Sequence, residues 1–255
     1  LYNCVNSGIV GGYNCTMNNA DRAGLLGGDG NKTYADETAI VGGQGGEIST
    51  GSVYSVIAGG INNKIYSSRS FVAGGSANQI NENSLRSAII GGQTNNITGC
   101  ERGGIFTGWN HTMTGSNRAA IVGGYGHIIG TSTNSAILGG NQPNSDGGFN
   151  NAILGSYACK MSETYGYQTV NSAILGASRS GITGGGRCAN VGVLDCRQNK
   201  TIQTVMLGGY DNFVNYSQNS AIVAGFKNDA TGCNSFAIIG GNNNYADGAF
   251  ECGML

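Results

Sequence analysis

Apolar residues return along this chain at a nearly fixed interval. Ile9, Leu25, Ile40, Ile57, Val72, Ile89, Ile105, Ile121, Ile137, Ile153, Ile174, Val193, Met206, Ile222 and Ile238 form one column, marking fifteen units mostly 16 residues long. The register slips between Ile153 and Met206, where spacings of 21, 19 and 13 imply insertions around residues 155–205. Eight residues after each of these positions comes a second apolar column, including Met17, Ile48, Ile65, Ile80, Ile97, Met113 and Ile129; Thr33, Ser145 and Thr201 interrupt it. Two apolar columns half a period apart predict a coil of two short strands joined by two tight turns, repeated as a solenoid.

A helical solenoid is the rival reading. β-Branched residues, however, fill 13 of 15 places in the first column, and glycine follows three residues later in 12 of 15 units. Glycine inside a helix costs about 1 kcal/mol each, so strands are favoured and the glycines are read as corners. Strand parity then sorts the faces. In "SAIIGGQTNNITG", Ile89 and Ile97 point inward, Ala88 and Ile90 outward from the first strand, and Asn96 and Thr98 outward from the second. The first strand is thus apolar on both sides and must be covered on both. The expectation is an all-β, single-chain parallel β-roll or β-solenoid of about fifteen two-strand coils, continuous over 1–255, its apolar stripe buried between copies in a homotrimer.

Composition narrows the partners. Charged residues make up 11% of the chain and the net charge is −1, which argues against capture of nucleic acid, and no run approaches the ~20 apolar residues of a membrane span. Glycine at 47 residues with one proline does not fit collagen. The absence of an initial methionine suggests a mature product or a fragment of a longer chain. Eight cysteines without a C-x-x-C pair favour disulfides over a metal site; Cys4 with Cys15, Cys188 with Cys196 and Cys233 with Cys252 are the candidate pairs. N-x-[ST] sequons stand at Asn14, Asn31, Asn96, Asn110, Asn199 and Asn215. Cysteines and sequons together point to an oxidising, extracellular setting on a cell or virion surface.

The phrases "SAIIGGQTNNITG", "NSAILGG" and "NSAIVAGFKNDATG" resemble the head repeats of YadA-like trimeric autotransporter adhesins, also found in phage and viral fibres. The resemblance covers nearly the whole chain. It implies a left-handed parallel β-roll, three chains around one axis, and attachment to host surfaces or matrix.

Catalytic signatures are absent from the sequence, no cofactor is implied, and an enzyme is not expected. Three ladders carry the candidate chemistry. Three residues before the first column stand Arg69, Arg86, Arg102 and Arg118, placed by parity on the interface side and able to pair with Glu82 or Glu101 or to bind anionic glycans. Asn134, Asn150, Asn171 and Asn190 continue that column as a stack of amides. Four residues past the first column, Trp109 with Tyr125 and Tyr210 with Phe226 form aromatic steps suited to packing or to sugar rings. His111 and His127 are read as turn residues on a polar corner. The expected function is a non-enzymatic fibre or adhesin segment that attaches to glycans or matrix proteins; the alternative is a structural filament or virion-surface subunit with no ligand.

Overall fold

A computed structural model describes residues 1–162, 171–176, 178–179, 181–183, 186–192, 197–198, 202–207, 210, 213–216, 218–223, 226–227, 229–232, 234–239, 242–243, 245–247 and 250–254. The chain is a parallel β-solenoid, with no helix among the described residues. Among the described residues the strands form two parallel sheets, of 16 and 15 strands, each turn contributing one strand to each. Two compact units are present, Leu1–Gly126 and His127–Leu255.

Each turn contributes one strand to each of two walls. In the first unit, Ala88–Ile89 of the first wall pairs in parallel with Phe71–Val72 and Gly104–Ile105, while Asn96–Thr98 of the second wall pairs with Gln79–Ile80 and Thr112–Thr114. In the second unit, Ala136–Asn141 pairs with Ala152–Tyr157 and Asn144–Asp146 with Lys160–Ser162. The rungs are backbone hydrogen bonds from one turn to the next; Ile90 N–H donates to the Ile105 carbonyl at 2.9 Å. Both apolar columns meet inside, where Ile40, Ile57, Ile89, Ile97 and Ile121 are fully buried. Thr33 and Ser145 remain inside as well, Thr33 sharing a 2.7 Å hydrogen bond with Thr38.

The corners explain the 16-residue period. Backbone φ is positive three residues before the first column, as at Arg69, Arg86, Arg102 and Arg118, and again five residues after it, as at Asn62, Ala77, Thr94 and Asn110. These positions lie eight residues apart, so each turn is two similar halves, each with a non-glycine left-handed residue at its corner. The second glycine of the "GG" pair has a different task. Gly60 has φ +91°, and a Cβ there would overlap the carbonyl of Gly75 in the next turn, whereas Gly59 has open space. Only glycine lets adjacent turns approach so closely at that corner.

One register differs from the sequence reading. Asn190, not Val193, pairs with Ile174 and with Met206, and its side chain is fully buried. The 19- and 13-residue spacings are therefore two ordinary 16-residue turns with a polar residue in the core column. Gln198, not Thr201, continues the second wall between Ile182 and Val214. An apolar Val193 drew the sequence reading three residues off register, and Val193 itself lies outside the described residues.

Candidate functional site

The outer face of the first wall is the largest chemical feature. Ile89 is buried, so Ala88 and Ile90 point away from the interior; Val10, Leu26, Val41, Ile90, Phe106 and Val122 are exposed along the first unit, and Leu138, Leu175 and Leu207 along the second. The same face of the second wall carries Lys64, Gln79, Asn96, Thr98 and Thr112. There Asn81 Nδ2 donates to Asn96 Oδ1 at 2.7 Å and to Thr98 Oγ1 at 2.9 Å. One wall is thus dressed for water, the other is not.

The arginines stand elsewhere than strand parity placed them. Arg69, Arg86, Arg102 and Arg118 occupy the left-handed corner residue, where alternation stops, and their side chains are exposed at the corner after the second wall. Glu101 sits between two of them, at 2.9 Å from Arg86 and 3.2 Å from Arg102. Arg69 lies over the Tyr54 ring, 5.8 Å from its centroid. Tyr54 in turn hydrogen-bonds Glu37, whose carboxylate raises the phenol pKa, and Glu37 pairs with Arg22. Glu82 takes part in none of the ion pairs among the described residues. The amide stack forms as expected from Asn134 through Asn150 to Asn171, at 3.0 and 2.9 Å. Arg187, at the next left-handed corner, replaces the expected Asn190.

The aromatic steps lie at the opposite corner, so the two ladders are not brought together. Trp109 and Tyr125 meet edge to face at 5.3 Å and remain 54% and 38% exposed. Tyr210 and Phe226 stack at 5.2 Å with their planes 5° apart. Each ring therefore packs on its neighbour and keeps one side open.

Two groups of expectations are corrected by burial. His111 and His127 are fully buried inside the coil, not on a polar corner. His111 extends an interior column, six residues past the first apolar column, that also contains Asn63, Asn78 and Asn95, and His127 takes the equivalent place six residues past Ile121. Each of these asparagines bridges turns: Asn78 Nδ2 donates to the carbonyls of Gly74 and Gly92 at 3.0 Å, and Asn78 Oδ1 accepts the Asn95 N–H at 3.0 Å. Asn95 Oδ1 likewise accepts the His111 N–H. His127 Nε2 lies 3.1 Å from the Gly140 carbonyl, and burial pushes its pKa below the usual histidine value despite that contact. Sequence reasoning missed this ladder because an asparagine next to "GG" looks like ordinary turn chemistry; its recurrence two residues before the second apolar column, hence with inward parity, was the available signal. The serine of "NSAI" obeys the same rule: Ser87 Oγ donates to the Cys100 carbonyl at 3.0 Å and accepts the Gly103 N–H at 3.1 Å.

Of the three candidate cysteine pairs, only Cys4 with Cys15 lies wholly among the described residues. Cys4 and Cys15 are separate thiols, directed at the carbonyls of Tyr2 and Tyr13 in different corners. Cys188 is buried with its Sγ 3.6 Å from the Gly186 carbonyl; Cys196, Cys233 and the Cys252 side chain lie outside the described residues. Burial raises the pKa of Cys100. Among the sequons, Asn14 and Asn110 are exposed at corners, Asn96 and Asn215 are half-buried, and Asn199 lies outside the described residues. Asn31 is fully buried, with its amide donating to Gly27 and its oxygen accepting from Gly46, so a glycan cannot reach it in the folded chain. No cluster of three or more potential metal ligands occurs among the described residues. No protein-family model matches the chain, and no curated protein matches it.

Proposed function

We propose that this chain is a non-enzymatic extracellular fibre or adhesin segment, similar to YadA-like head repeats, which assembles as a homotrimer and presents its corners for attachment to glycans or matrix proteins. The observation that carries the reading is the apolar exterior of the first wall. A row of side chains such as Val41, Ile90 and Phe106, 47%, 45% and 52% exposed, exceeds what a solitary chain ordinarily leaves in water. The small residues beside that row, Ala39, Ala88 and Gly104, suit close approach of identical walls around a common axis. Three equivalent copies would present every corner three times, so weak single contacts sum to firm attachment. Exposed sequons at Asn14 and Asn110 suit an extracellular surface, on a cell or a virion.

A structural filament or virion-surface subunit without a ligand is the second reading. It is favoured by Arg86 and Arg102, whose guanidinium groups are engaged by Glu101 within the chain.

Light scattering on the intact chain tests the assembly. We expect a particle of about three times the 26.0 kDa chain. The triple variant Val41→Lys, Ile90→Lys, Phe106→Lys should shift the mass to that of a single chain while keeping the strand signature in circular dichroism, and Thr98→Lys on the second wall should leave the trimer intact. A wild-type mass near one chain removes the proposal.

A further inference from the structure

The corner after the second wall varies in length, and the variation builds a notch. Ile48 to Ile57 takes nine residues and Ile80 to Ile89 takes nine, while the intervening Ile65 to Val72 takes seven. Because the turns stack in parallel register, two long corners flank a short one. The short corner becomes a floor holding Tyr66 and Ser68; Thr50 and Gly51 rise on one side, Glu82 and Leu85 on the other, around a volume of about 370 Å3. Tyr66 also borders an adjoining groove of about 450 Å3 with Gln79, Asn81 and Thr98. Both volumes are in the range of small-ligand sites.

Hydrogen bonds tie the lining together, Tyr66 to Lys64 and Asn81 to Asn96 and Thr98, while the Glu82 carboxylate takes part in no ion pair among the described residues. Ser68 Oγ donates to the Gly51 carbonyl at 2.7 Å, tying floor to wall, and the Ser84 N–H donates to Ser67 Oγ at 3.0 Å, tying the floor to the other wall. The neighbouring arginines turn elsewhere, Arg86 to Glu101 and Arg69 to the Tyr54 ring. Glu82 is the only charged residue in the lining. An aromatic ring flanked by a carboxylate and by amides matches the two surfaces of a pyranose: an apolar face of C–H groups for stacking, and a rim of hydroxyls for hydrogen bonding.

We infer that this notch binds a neutral hexose unit of a glycan, with the ring stacked on Tyr66 and vicinal hydroxyls donating to the Glu82 carboxylate. The inference rests on the attachment reading above and names its site, at the corner opposite Trp109 and Tyr125. An array of neutral hexose oligosaccharides, probed with the intact chain and followed by calorimetric titration of the best-bound member, tests it. Tyr66→Ala and Glu82→Gln should each weaken binding about tenfold or more, since a hydrogen bond to a charged group or a stacked ring contributes on that order. Glu82→Gln changes an exposed side chain, so it guards against loss of fold in Tyr66→Ala. The double variant Trp109→Ala, Tyr125→Ala should bind as wild type. Binding that survives both notch variants overturns the site but leaves attachment standing. Failure of the folded wild-type chain to bind any member of the array overturns the site and attachment through neutral glycans together, and a change of particle mass in Glu82→Gln would instead make the notch a contact between chains, overturning the saccharide assignment.

Discussion

Ile90 and Thr98 belong to one turn, eight residues apart and each one residue past a buried isoleucine, yet they meet different surroundings. Behind each lies the same interior, Ile89 on one wall and Ile97 on the other, both without solvent contact. In front of Ile90 runs a row of exposed aliphatic and aromatic side chains, while Thr98 is tied into a polar network with Asn81 and Asn96. The interior is therefore what winds the coil, and it is indifferent to wall. The exterior is free to specialise, and in the first unit it is the first wall that has specialised toward something other than water.

The sharpest way to break that comparison is to injure both walls from inside. Ile89→Ala and Ile97→Ala each remove three carbon atoms from a fully buried site between stacked turns, so each should lower unfolding free energy by about 2–5 kcal/mol. Equal costs in urea titration, at matched states of assembly, are expected because the two columns fill one common core. A cost at Ile97 below half that at Ile89 would show that the first wall alone holds the coil.

Much of this architecture is legible in the sequence, for a physical reason. A solenoid repeats its contacts every turn, so a buried side chain becomes a column, and Ile89 predicts Ile105 as directly as a neighbour in space. Inward and outward parity follows from the pleat, which is why Ile90 and Asn96 can be assigned to exteriors before any coordinates. Parity fails where the chain leaves the strand: the left-handed corner residue swings Arg69 and its successors off the face that alternation gave them. It fails again at Asn190, where a polar residue occupies a core place and an apolar one three residues on attracts the alignment. The notch was invisible for another reason, since it arises from unequal corner lengths in three successive turns and from no residue pattern in any one of them.

The interior can also be probed through a buried imidazole. His127 is buried, and burial holds its pKa below the 6.5 of an exposed imidazole. Above that pH the ring is neutral folded or unfolded and contributes no pH dependence. As pH falls below about 6.5 the unfolded chain takes up a proton that the folded chain resists, so stability declines until the lowered folded pKa is reached; each unit between the two values is worth about 1.4 kcal/mol. His127→Asn installs the residue that fills the equivalent place at Asn63, Asn78 and Asn95. The variant should therefore lose less stability than wild type between pH 7.5 and pH 5, compared by urea midpoints. A parallel decline in both proteins would mean that the folded chain protonates His127 as readily as the unfolded chain does.

The smallest effect is expected at the corner, outside both walls. Glu101 lies between Arg86 and Arg102, but its side chain is 39% exposed and the two arginines 47% and 44%. Pairs so open to solvent contribute less than about 1 kcal/mol, and that contribution fades with salt. Glu101→Gln should accordingly move the urea midpoint only slightly at low salt and not measurably at 0.5 M sodium chloride. What it does change is charge: without Glu101, the ladder of Arg69, Arg86, Arg102 and Arg118 loses its compensating carboxylate. If the corner has a purely structural role, the variant should bind sulfated oligosaccharide no better than wild type; if the arginines are a reserve of anion affinity, binding should rise and then vanish with salt. Because the fold barely registers the substitution, any change in binding reports on the corner alone, and the core and both walls drop out of the comparison.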